Sequence, residues 1–350
     1  MIDMNRIWAH LDSLAKPRRS LGKLEALAAR LALIQGTLTP VVRPRSLVLF
    51  AADHGVVARG VSAWPSDVTG LMVATMLAGN ASSSALAAAH ACGVRLVDVG
   101  VASGSPPAPP PFFRSARIAQ GTMDLSVGPA MTLAQFDAAW QVGTEEADLA
   151  IREGNAVLIA GEMGIGNTTS AACLTMLLAG ATAEVATGRG AGADDATLSI
   201  KRAVVAEAVA RVSLPGVEGA VPGSTASAQD VREAIAAVAG FEIVAMAGFF
   251  AEGARRGATL LLDGYVATAA ALIAERLSPG TVSSMIAAHL SAEPGHGAAL
   301  AQLGLEPLLD WSMRLGEGTG ALVALPLLDS AAALLSDVAS LADVGAARED

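Results

Sequence analysis

Four short apolar runs punctuate the chain, each uninterrupted and each closed by an acid. They are Ser46–Ala51 before Asp53, Val94–Val97 before Asp98, Ala156–Ala160 before Glu162 and Ala258–Leu262 before Asp263. Continuous rather than alternating hydrophobicity predicts strands covered on both faces, as in a parallel sheet. Helical patterns follow several runs, so the chain reads as successive strand–helix–strand units. Ligands of such sheets gather beyond the carboxyl ends of the strands. All four acids are expected near that rim, where capping a helix is the ordinary role for any one of them.

Leu21, Leu24, Leu27 and Leu31 recur at helical spacing and predict an N-terminal helix. Gly320–Asp350 is rich in Ala and Leu and predicts a C-terminal helix with a fraying polar tail. Gly104–Pro111 cannot be a helix or a central strand, and Leu214–Ser227 reads as a flexible connection. Two uncharged stretches, Val68–Ala89 and Met163–Ala183, have the length of a membrane span. Clusters of Gly, Asn, Ser and Thr interrupt both, so each is read as a loop plus a buried helix.

Composition sharpens this picture. Hydrophobic residues make up 53% of 350 and aromatics only 3%, so Ala, Val and Leu must fill the core. A net charge of -10 argues against nucleic acid or an anionic membrane as partner. Cys92 and Cys173 are the only cysteines, which argues against a disulfide framework or a zinc site and for a reducing, cytoplasmic setting. The opening MIDMNRIWAHLD lacks a basic-then-apolar pattern, so no secretory signal is expected.

The most informative stretch is Gly161–Ser170, GEMGIGNTTS, between a strand candidate and an apolar helix. Glycines let backbone N–H groups approach a ligand, and the helix N-terminus adds partial positive charge. The spacing resembles a nucleoside-triphosphate loop, but Asn167 stands where the lysine belongs. That disfavours an NTPase and favours a monophosphate cradle made by Gly164, Ile165, Gly166, Asn167 and Thr168. The plainer alternative is a strand–helix turn capped by Thr168 or Thr169. A second turn, Thr187–Gly192, brings Arg189 and Gly190 as possible anion partners. Lys201 follows on a helix and, by itself, reads as a solvated charge.

Glu317 lies between Gly316 and Gly318 in LGEGTG, just before a helical run. Burial under a flat ligand would raise its pKa and make it a better base. Simple placement near a helix N-terminus accounts for the local pattern equally well. His289, Glu293 and His296 suggest a metal, but Pro294 and Gly295 break any helical ligand face, so no metal is expected. Asp53 and His54 read as a structural turn.

These segments together resemble the nicotinate-nucleotide–dimethylbenzimidazole phosphoribosyltransferase family. The resemblance runs through KPRRSLGKLE, AADHGV, GEMGIGNTT, TGRGAGADD, GFEIVAMAG, LLDGYVATAAAL, AHLSAEPGH and RLGEGTGA, in the family's order. It implies a Rossmann-like parallel sheet flanked by helices, with a small helical domain built from both chain ends. The expected division is 40–300 against 1–39 plus 301–350. It also implies a homodimer without cofactor, taking nicotinate mononucleotide and a benzimidazole-type base as substrates. By resemblance Glu317 is the general base and Glu162 a second acid at the reacting centre. The GEMGIGNTT loop matches the part that surrounds the nicotinate nucleotide and its phosphate, and Arg189, Gly190, Lys201, Leu315 and Gly316 are further expected to bind substrate. Two segments depart from the family's pattern. Leu71 replaces a glutamine that lines the base pocket, and Gly79–Ser84 reads GNASSS instead of Gly-Gly-Ala-Ala-Ile-Asn. Arg19 also replaces a glycine. These departures leave the accepting base open, and a binding module without catalysis remains the rival reading.

Overall fold

The computed structural model describes residues 2–104, 108–212 and 227–345. Six parallel strands form its central sheet: β1 (Arg45–Ala52), β2 (Gly93–Gly100), β3 (Phe113–Ser115), β4 (Val157–Met163), β5 (Thr259–Leu262) and β6 (Met285–Ala287). Their order is β3-β2-β1-β4-β5-β6. The winding direction reverses between β1 and β4, which opens a crevice at the carboxyl ends of those two strands. A two-stranded parallel ribbon, β7 (His289–Leu290) and β8 (Leu309–Asp310), stands apart from this sheet.

The four apolar runs are β1, β2, β4 and β5. Two strands outlast their runs: β2 carries Asp98 inside it, and β4 carries Glu162. Side chains of β1 alternate between two cores. Val48, Phe50 and Ala52 face the helices Leu133–Arg152, Phe241–Arg255 and Tyr265–Leu277. Leu47, Leu49 and Ala51 face helices from both chain ends, Met4–Ser13, Lys23–Gln35 and Thr319–Ser336. Each fully buried Leu or Phe contributes about 1.5–3 kcal/mol. With few aromatics, backbones must approach closely. A Cβ on Gly143 would lie 1.8 Å from Ala245 O, and one on Gly248 would lie 2.2 Å from Trp140 O, so these two helices meet at glycine.

Two expectations need correction. Leu21 precedes its helix, which begins at Lys23, and is 44% exposed. Val68–Ala89 is not a buried helix: it forms two helices, Asp67–Leu77 and Ser82–Ala89, broken at Gly79, and most of it faces outward. Eleven and eight residues are each too short to cross a bilayer. Met163–Ala183, by contrast, is the end of β4 followed by the mostly buried helix Asn167–Ala179. All of Leu214–Ser227 except Ser227, part of Gly104–Pro111 and the last five residues of the C-terminal tail lie outside the described residues.

Candidate active site

A cavity of about 430 Å³ occupies the crevice. Val61–Trp64 after β1, Glu162–Thr168 from β4 onward and Asp263–Val266 after β5 form three of its walls. Val68, Met72, Arg189–Ala191, Lys201, His289, Ser291, Glu293 and Arg314–Glu317 complete it. Of the residues expected to act on or surround the substrates, all line this space except Leu71 and the two ends of the GEMGIGNTT loop, Gly161 and Thr169. The Leu71 side chain is 65% exposed on the helix Asp67–Leu77, which turns Val68 and Met72 toward the cavity instead. Helical geometry explains the miss, since positions four apart share a face and Leu71 falls beside it.

The cradle is built by a change of backbone hand. Gly166, with φ +97°, ends the loop after β4 and starts the helix Asn167–Ala179. No side chain caps that helix, so neither Thr168 nor Thr169 plays the capping role. Thr168 Oγ1 instead accepts a hydrogen bond from Lys201 Nζ at 2.7 Å, and Nζ also donates to Gly188 O at 3.1 Å. Lys201 is therefore no solvated charge. Its helix, Asp195–Ala210, packs against Asn167–Ala179 and buries it. Burial pushes the ammonium down to about 8, while Glu293 holds it up. Asn167, in the position of a triphosphate loop's lysine, donates its amide to Glu162 Oε2. Arg189 spends its guanidinium on Asp195 and on Ala193 O. Arg314, which sequence reasoning passed over inside the RLGEGTGA motif, lines the cavity and donates to Gly190 O at 2.7 Å.

Carboxylates line the same cavity. Gly316, Glu317 and Gly318 are three consecutive residues with φ of +87°, +58° and +75°. For glutamate that conformation costs about 1–2 kcal/mol, so the surroundings must impose it. Asp263 does so by accepting from Gly318 N (3.1 Å), Gly320 N (2.8 Å) and Ala321 N (3.2 Å). Glu317 is only 3% exposed, and Ser83 Oγ donates to its Oε2 at 3.1 Å. Burial raises its pKa, Ser83 opposes that, and Asp263 adds to it. Glu162 is pushed up to about 8, chiefly by burial and then by Asp263, Glu242 and Glu317. Gly316 packs directly on it, since a Cβ there would lie 2.2 Å from Glu162 Oε1.

The other candidates divide by their hydrogen bonds. Asp53 accepts from Ala102 N, and Asp98 accepts from Gly100 N, Val101 N and Arg117. Both serve loops and lie outside the cavity lining. His54 pairs with Glu242 at 2.8 Å in the core beneath Gly164. Ser291 N donates to His296 Nδ1, so Nε2 carries the proton toward Thr268 Oγ1 at 2.8 Å. Burial drives that imidazole down to about 3 and keeps it neutral. Among the described residues, no three His, Cys, Asp or Glu side chains are grouped to hold a metal ion.

A cavity that gathers a buried ammonium, a helix N-terminus without a side-chain cap and buried carboxylates suits transfer of a phosphorylated sugar to a proton-bearing acceptor. A phosphoribosyltransferase family model matches residues 3–346. The chain belongs to that family. It is 45% identical over 97% of its length to the nicotinate-nucleotide–dimethylbenzimidazole phosphoribosyltransferase of Thermus thermophilus, covering 96% of that relative. The Variovorax paradoxus protein of the same name is 43% identical, with 99% and 94% covered. A crystal structure of CobT from Thermus thermophilus superposes with a TM-score of 0.91 at 44% identity, covering 99% of both chains.

Proposed function

We propose that the protein transfers the phosphoribosyl group of nicotinate mononucleotide to 5,6-dimethylbenzimidazole or a related base. The products are α-ribazole 5′-phosphate and nicotinate, and the reaction belongs to cobalamin nucleotide-loop assembly. The names of its relatives support the substrates. The observation that carries the chemistry is Glu317, a buried carboxylate held in a left-handed turn of the same cavity as the cradle.

The donor's phosphoryl end sits at Gly164–Thr168 with Lys201 and so aims the sugar's C1′. The bond from C1′ to the pyridinium nitrogen breaks, and its electrons neutralise that nitrogen, so the leaving group needs no proton. A ring nitrogen of the acceptor forms the new bond to C1′. Its partner nitrogen then becomes acidic and yields its proton to Glu317. Val61, Val68, Met72 and Leu315 offer the acceptor ring an apolar wall. General-base assistance is worth roughly 10²–10⁴-fold, and alignment of the two rings adds to it. Glu317→Gln is expected to keep donor binding and to lose turnover by about 10²-fold or more. Nicotinate release with 5,6-dimethylbenzimidazole measures it. Turnover near wild type would remove Glu317 from the role, and binding without product in the wild-type protein would favour a non-catalytic module.

The helices of 1–39 and 301–350 form, in this reading, a small domain beside residues 40–300 of a cytoplasmic homodimer. The outward-facing apolar stretch Asp67–Ala89 supports a second copy, and the free buried Cys92 and Cys173 suit a reducing compartment. Sedimentation of the full chain tests the dimer.

A further inference from the structure

Four side chains from separate parts of the chain hold one glycine turn. Lys201 Nζ donates to Gly188 O (3.1 Å), Arg314 Nη1 to Gly190 O (2.7 Å) and Trp64 Nε1 to Ala191 O (3.1 Å). Glu293 Oε1 accepts from Gly190 N at 2.8 Å. Glu293 is the odd member, the one anion among three donors, and it is only 5% exposed. Its second oxygen, Oε2, is buried without a hydrogen-bond partner. Gly188 is pressed against that oxygen, where a Cβ would lie 2.4 Å away. A buried carboxylate with an unsatisfied oxygen is costly and calls for a reason. Lys201 supplies one, because it is a buried cation whose two hydrogen bonds both go to neutral oxygens, Thr168 Oγ1 and Gly188 O.

We propose that Glu293 is a positioning residue for the donor. It pins the glycine turn through Gly190 and supplies the near countercharge that keeps Lys201 cationic for the phosphoryl group. This rests on the reading of Gly164–Thr168 as the phosphate end.

The electrostatics agree. Burial pushes Lys201 down to about 8, and Glu293 is the foremost group opposing that fall. The other groups around it hold their charge state through the same range. Cys173, on the facing helix, has a thiol pushed up to about 12 by burial, and burial also raises the Tyr265 phenol. Arg314, which donates to Gly190 O, Arg189, which pairs with Asp195, and Arg202, on the helix of Lys201, are the arginines of this region. Glu162 titrates near the same pH, but Asp263, Glu242 and Glu317 are the charges that raise it, so exchanging Glu293 leaves that contribution in place.

The test is calorimetric binding of nicotinate mononucleotide and of nicotinate riboside to the full chain from pH 7 to 9.5. That range lies above the second phosphate ionisation near about 6. Wild type should prefer the mononucleotide, and that preference should fade as pH rises past about 8. In Glu293→Gln the fading should begin lower, by roughly one pH unit. Glu293→Asp keeps the charge and should restore the wild-type inflection even if its melting temperature falls. A Glu293→Gln variant that weakens binding by the same factor at every pH, or keeps the wild-type inflection, overturns the proposal while the phosphate reading stands. A wild type with no preference for the mononucleotide at any pH sinks both.

Discussion

At the scale of single residues, the site is governed by what surrounds its carboxylates. Ser83 is the clearest instance. It lies in the GNASSS segment whose departure from the family's pattern bears on acceptor choice, yet its hydroxyl donates to Glu317. A hydrogen bond to a carboxylate favours the charged form, so Ser83 lowers a pKa that burial raises. Removing it must therefore raise the pKa of Glu317 further. The base works only when ionised, so activity is lost as pH falls through that pKa. Ser83→Ala should move the acid limb of the kcat/KM profile upward by roughly 0.5–1 pH unit, the equivalent of the net contribution of one ordinary hydrogen bond. A limb that stays put or moves down would detach Ser83 from the base. Such a contact spans 234 residues of chain and leaves no local pattern, which is why Ser83 is not legible in the sequence.

At the scale of elements, the turn Gly316–Gly318 and the helix Thr319–Ser336 depend on Asp263. One carboxylate serves three N–H groups at the start of that helix. Among the four rim acids, Asp263 thus has the ordinary capping role, but it caps a helix more than fifty residues away rather than its own. Asp263→Ala should cost about 1–3 kcal/mol in a urea or thermal melt. Turnover should fall more than donor affinity, because the turn presents Glu317 whereas the cradle is built from β4. A variant that loses donor affinity and turnover in equal measure would contradict this division. The strands that the sequence revealed each contain a continuous apolar run: β1, β2, β4 and β5. The edge strands β3 and β6 have only three residues each, too few for a period to register. Lys201 escapes the sequence for a related reason. Burial of one helix face by the helix Asn167–Ala179 is a tertiary fact, and a lysine followed by Arg202 does not announce it.

At the scale of the molecule, the parallel winding converges acids that the chain keeps far apart. Asp263 after β5, Glu317 before the helix Thr319–Ser336 and Glu242 from the core helix Phe241–Arg255 all lie close enough to Glu162 on β4 for their charges to raise its pKa. The sequence predicted the rim but not this convergence, since strand order decides which loops become neighbours. Mutual repulsion and burial hold Glu162 protonated to about 8. In the unfolded chain its pKa returns to about 4.5, the ordinary carboxylate value. Between those two values the folded protein binds a proton that the unfolded chain has released, so stability falls as pH rises through this window and levels off above about 8. Glu162→Gln keeps the shape and removes the titration. Its stability should therefore decline less between pH 5 and 8.5 than that of wild type, by on the order of 2 kcal/mol, since relaxation and water entry moderate the ideal linkage value. Chemical denaturation of both proteins across that range reads the difference directly. Parallel curves would mean that Glu162 ionises in the folded state as it does in water, and the acid cluster would then cost the fold nothing.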